Sequence, residues 1–67
     1  MKKESDGFKV GETIEIVKMV GEPEYDGRRG TISYIDDAGH LHGTWGSLSV
    51  MPDVDYIIKI EEEHKDV

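Results

Sequence analysis

The chain contains no cysteine, so neither a disulfide framework nor thiolate ligation of zinc can reinforce its core, and a reducing compartment suits it. No run approaches the roughly 18 consecutive apolar residues that a membrane helix needs. The opening residues, Met1-Lys2-Lys3-Glu4-Ser5-Asp6, are not followed by the apolar stretch of a secretory signal. These absences predict a soluble, cytoplasmic protein with no membrane role. Bases are scarce as well: 8 Lys and Arg stand against 15 Asp and Glu, a formal net charge of −7. Non-specific nucleic-acid binding depends on cations that neutralise phosphates, and this balance opposes it. Net charge supplies solubility without any partner. Catalytic strings are missing too: there is no cysteine nucleophile, no Gly-x-Ser-x-Gly elbow, no phosphate loop and no dinucleotide fingerprint. With 67 residues the core is thin, and a substrate pocket of ordinary size is hard to build in it. The expectation is a protein that is not an enzyme and uses no cofactor and no metal.

What is present is a rhythm of short strands. Residues 30–45 read as a β-hairpin: an apolar run ending in Tyr34-Ile35, a tight Asp37-Ala38-Gly39 connection, then Leu41, Gly43 and Trp45 in alternation. Gly39 can take the positive φ that such a turn requires. Before it, residues 13–19 (Thr-Ile-Glu-Ile-Val-Lys-Met) are rich in β-branched side chains and predict a strand. Its alternation slips between Ile16 and Val17, which predicts a bulge or a strong bend. Residues 20–29 form a long loop carrying Gly21, Pro23 and Gly27, and proline excludes a central strand there. After the hairpin, Gly46-Ser47 suits a two-residue turn leading to a short strand over 48–51. Pro52-Asp53-Val54-Asp55 reads as a turn. A last strand over 56–60 puts Tyr56, Ile58 and Ile60 on one face.

The fold class predicted is all-β: a single, small, five-stranded SH3-like barrel over residues 11–60. Two polar tails flank it, a frayed one over 1–10 whose end packs through Phe8 or Val10, and an acidic one over 61–67. Closure of the sheet removes the exposed edges that endanger a small β-protein.

Several constellations invite a chemical reading. His40 and His42 share one face of a strand, and with Asp36 or Asp37 they supply two imidazoles and a carboxylate, a zinc-like set. Alternating polar residues on the wet face of a hairpin produce the same pattern, and that reading is preferred. Asp36-Asp37 and Asp53-x-Asp55 fall in turns, where Asp is common because it bonds nearby backbone N–H groups. Tyr25 is the large side chain of its loop and is expected to pin that loop to the barrel. Arg28-Arg29 is expected to be a solvated corner paired with Glu22, Glu24 or Asp26. Trp45, the sole tryptophan, is expected in the core or at its edge, with Gly43 small to leave room for a neighbouring ring. Met19 and Met51 are read as core filling.

The strings Ile16-Val17-Lys18-Met19, Gly21-Glu22-Pro23-Glu24-Tyr25 and Gly27-Arg28-Arg29-Gly30-Thr31-Ile32 resemble the first half of a small bacterial domain family. Ile35-Asp36-Asp37-Ala38-Gly39, His42-Gly43-Thr44-Trp45-Gly46 and the segment from Pro52 to Tyr56 resemble its second half. This is the domain-of-unknown-function family numbered 4314, seen in phages and mobile elements of Firmicutes, and the resemblance covers residues 11–60. Many members carry a Trp-Asp-Asn-Gly turn where this chain has Trp45-Gly46-Ser47. The resemblance implies a fold and a phage or mobile-element setting, and it implies no catalytic residue. Gly11-x-x-Ile14 and Gly27-x-x-Gly30-x-Ile32-x-x-Ile35 are also similar to KOW-type modules, which usually present basic surfaces.

The expected function is a non-catalytic interaction module that binds a protein partner, as a monomer or weak oligomer. The surface expected to carry it is the 20–29 loop with Tyr25, Arg28 and Arg29, together with the tip at Trp45 and Ser47. One alternative is an acidic inhibitor or nucleic-acid mimic aimed at a basic host enzyme, using Glu61-Glu62-Glu63 with Glu12 and Glu15. The other is KOW-like nucleic-acid binding through Lys9, Lys18, Arg28, Arg29 and Lys59.

Overall fold

In a computed structural model that describes residues 1–60, the chain is all-β, as the strand pattern predicts. The acidic segment 61–67 lies outside the described residues. Among the described residues there are six strands: β1 (Glu4–Ser5), β2 (Phe8–Lys9), β3 (Thr13–Lys18), β4 (Arg29–Ile35), β5 (Leu41–Gly43) and β6 (Tyr56–Lys59). The last four form one antiparallel sheet in the order β5-β4-β3-β6, and β1 pairs with β2 in a separate ribbon. The sheet does not close into the expected barrel, because β5 and β6 remain its two edges. Among the described residues no helix is long and apolar enough to cross a membrane.

Two irregularities in register build the core. Between Ile16 and Lys18 the pairing of β3 with β6 shifts, so Ile14, Ile16 and Met19 are all buried while Val17 is exposed. A second shift between Ile32 and Tyr34 lets β4 bury both Ile32 and Ile35 although they are three apart. Each shift inserts a residue that turns the strand and changes which parity faces inward. Ile14, Ile16, Ile32, Ile35, Leu41 and Val50 are fully enclosed, and Met19, Tyr25, Trp45 and Ile57 complete the cluster.

Four expectations are corrected. Residues 1–10 are polar, yet they pair rather than fray: Asp6 (φ 54°) and Gly7 (φ 87°) make a tight turn, and Glu4 and Ser5 face Lys9 and Phe8. Positive φ at both central residues is the geometry of a type I′ hairpin, which Asp-Gly favours. The ribbon is anchored where Lys2 N–H donates to the Ile35 carbonyl and Gly11 N–H to that of Ile32, each at 2.9 Å. Second, the strand expected over 48–51 is reduced to one bridge, with Leu41 and Val50 exchanging two 2.8 Å backbone bonds. Third, Gly46-Ser47 therefore lies within a longer excursion between those two residues and not at a two-residue turn. Fourth, on β6 it is Ile57 that faces the core, leaving Tyr56 68% and Ile58 46% exposed.

The β4–β5 connection behaves as predicted: Gly39 adopts φ 87°, and its N–H donates to the Asp36 carbonyl at 2.9 Å. Trp45 explains why Gly43 carries no side chain. A Cβ there would lie 2.7 Å from the indole Cη2 and would also collide with Cζ3 and with the Thr31 carbonyl. Backbone and a buried ring cannot both give way, so Gly43→Ala is expected to lower stability by about 1–3 kcal/mol. Urea unfolding followed by circular dichroism measures this, and an unchanged midpoint would show that the indole is not seated on Gly43.

Candidate functional site

The loop over 20–29 is closed by its own polar groups. Glu22 N–H donates to the Met19 carbonyl at 3.0 Å, and Met19 N–H donates to Asp26 Oδ1 at 3.0 Å. Pro23–Tyr25 is a single 3₁₀ turn with proline at its start, where the fixed φ and missing N–H cost nothing. This turn drives Tyr25 inward until it is 8% exposed, and its hydroxyl stops 2.6 Å from where a Cβ on Gly46 would be. Trp45 is 3% exposed, and its Nε1–H donates to the Leu48 carbonyl at 2.9 Å. Arg28 ties the two rings together. Its guanidinium lies 4.1 Å above the centre of the Tyr25 ring, and Nη1 donates to the Trp45 carbonyl at 2.9 Å.

The structure thus brings Tyr25, Arg28 and Trp45 together, but as an internal fastener between two loops. Neither ring presents a face to solvent. Arg29 points elsewhere, pairing with Glu15 through Nε at 2.9 Å. Ser47 is exposed beyond Trp45. The acidic residues expected to neutralise Arg28-Arg29 do other work: Asp26 caps Met19, and Glu22 and Glu24 face each other.

A different surface is left open. Met19, Val20 and Glu22 on one side and Leu48, Ser49, Met51 and Asp55 on the other line a groove of about 230 Å³. Its walls come from loops far apart in sequence, and Asp55 holds them in place. This carboxylate, 6% exposed, accepts Val20 N–H on Oδ1 at 3.1 Å and Met51 N–H on Oδ2 at 3.0 Å. The turn propensity of Asp55 says nothing of its buried position or of its bond across 35 residues, which local spacing does not encode. Glu22 lines the groove, and its carboxyl lies within hydrogen-bonding reach of that of Glu24. That hydrogen bond, and the repulsion between the charges, raise the Glu22 pKa above the usual carboxylate range.

Asp36 and His42 form a separate polar cluster. Asp36 Oδ1 accepts the N–H groups of Ala38 (3.0 Å) and His40 (2.9 Å), and Oδ2 meets His42 Nε2 at 2.8 Å. The hydrogen bond with His42, followed by that from His40, holds the Asp36 pKa at about 2. The His42 ring stacks on Tyr34 with centroids 4.3 Å apart. His40 instead lines a small polar cleft with Ser5, Asp6, Gly39 and Asp53. Among the described residues no three of His, Cys, Asp and Glu are grouped to hold a metal ion.

Comparison with known proteins gives one finding. The family model described as Domain of unknown function (DUF4314) matches residues 1–60. No curated protein and no solved structure gives a match.

Two outcomes test this geometry. Asp55→Ala strands two backbone donors and should cost about 2–4 kcal/mol in urea unfolding, with Asp55→Asn costing less because one acceptor remains. Equal stability of all three proteins would remove Asp55 from its clamping role. Asp36 is more acidic in the folded chain than the ordinary 3.8, and its folded pKa is about 2. Its ionised form therefore stabilises the fold fully above about pH 4, and that contribution fades as pH falls through about 2. Melting temperature followed from pH 5 to pH 2 should fall less for Asp36→Asn than for the parent, whereas parallel curves would deny the pair its role.

Proposed function

We propose that this chain, which belongs to the DUF4314 family, is a non-catalytic module that acts by holding a protein partner. The observation that carries this reading is the groove between the 19–22 and 48–55 segments and the apolar side chains left in water around it. Of the lining residues, Val20 is 56% and Leu48 37% exposed. In so small a chain, apolar groups grouped at the mouth of a groove held by a buried carboxylate are what a recognition surface offers. The setting proposed is the cytoplasm of a cell carrying a phage or mobile element, in line with the family resemblance.

The charged side chains favour a protein over a nucleic acid. Of the five cations considered for phosphate binding, Arg29 pairs with Glu15 and Lys59 lies 3.4 Å from Glu12. Arg28 is engaged with Tyr25 and Trp45. The same pairs occupy Glu12 and Glu15, which an acidic mimic would need free; the other residues of that reading, Glu61, Glu62 and Glu63, lie outside the described residues.

The test is comparative capture. Tagged parent protein and the Val20→Asp/Leu48→Asp variant are exposed to lysate of a host carrying the element, with folding of each checked by its NMR amide spectrum. A protein retained by the parent and lost by the folded variant is the expected result. Capture of nothing, or equal capture by both, would overturn the proposal.

A further inference from the structure

We infer that the groove receives one apolar side chain from a basic segment of the partner, with Glu22 in its lining and Glu24 beside Glu22 holding the neighbouring lysine or arginine. This rests on the protein-binding reading above and names the chemistry of the partner.

Size is the first argument. At about 230 Å³ the groove falls below the roughly 300–1,000 Å³ of small-molecule sites, while an aliphatic side chain fits. The lining matches such an occupant. Met19 and Met51 are flexible and polarizable, and Val20 and Leu48 border the opening. Because Asp55 bonds both walls, the groove is open before anything binds, and little ordering cost is added on association.

Charge is the second argument, and it selects the partner's sign. No basic residue lines the groove. Among the described residues neither Glu22 nor Glu24 is paired with a cation; the ion pairs go instead to Asp37, Glu15, Asp36 and Glu12. Glu22, in the lining, has the Glu24 carboxyl within hydrogen-bonding reach, and the two repel when both are ionised. An ammonium or guanidinium group arriving between them removes that repulsion and gains two charge-assisted bonds. An acidic segment would add to the repulsion. The net charge of −7 steers the same kind of partner from a distance.

The experiment uses the ¹⁵N-labelled full chain and three synthetic peptides. One has a central Leu flanked by Lys and Arg, one the same Leu flanked by Glu, and one the basic flanks with Ser at the centre. With the first peptide, amide shifts should concentrate at Val20, Glu22, Leu48, Ser49 and Met51. The Ser peptide should bind about tenfold more weakly. The double variant Glu22→Gln/Glu24→Gln, altered only at surface carboxylates, should bind the first peptide about five- to tenfold more weakly. Equal binding of the acidic peptide, shifts centred elsewhere, indifference to the double variant, or no shifts with any peptide would each overturn the inference. If capture from lysate depends on Val20 and Leu48 while the basic peptide fails, this inference alone falls and the protein-binding reading stands.

Discussion

An indole with no space left beside it governs this small structure. Trp45 lies against the backbone of β4 and β5 so closely that Gly43 has room for no side chain. A 67-residue chain without disulfides must bury what large side chains it has. Once Trp45 is inside, its backbone leaves the β5 line. Nε1 then fixes the Leu48 carbonyl, and the chain regains sheet pairing only at Val50. Tyr25 is drawn in against Gly46 from the opposite loop, and Arg28 closes the junction by covering Tyr25 and binding the Trp45 carbonyl.

That junction decides which surface is left open for the proposed recognition. Both rings are taken up by packing, Tyr25 being 8% and Trp45 3% exposed. The displaced segment from Leu48 to Met51 instead forms one wall of a groove whose other wall begins at Met19. Asp55 is the second fixed point. It bonds both walls through a single carboxylate, a polar solution that succeeds because each oxygen has its donor. Core packing and groove are thus two results of one arrangement, and neither uses the Asp36–His42 pair, which stabilises the β4–β5 connection.

Much of this was legible in the residues. β-branched runs located β3 and β4, the slip after Ile16 announced a real register shift, and Gly43 beside Trp45 signalled a close ring. The misreadings have physical causes. Asp6-Gly7 is a hairpin signal, but its strands are two residues each and polar, so no alternation marks them. Tyr56-Ile57-Ile58 offers a continuous apolar run, in which local pattern cannot choose between Ile57 and Ile58 for the core. The strand over 48–51 failed because the Trp45 side chain, three residues earlier, took the Leu48 carbonyl, a local bond that strand propensity does not register. The groove was invisible because it joins segments separated by about thirty residues, and Asp55 showed only its turn propensity.

The central claim is that recognition uses the groove while the Tyr25–Trp45 junction stays closed. Cross-saturation NMR on a complex between the labelled chain and its unlabelled captured partner tests it most directly. The account predicts signal loss at the amides of Val20, Glu22, Leu48 and Met51, with the Trp45 indole N–H unaffected. Signal loss centred on the Trp45 indole and the Tyr25 amide, with the groove amides spared, would contradict it.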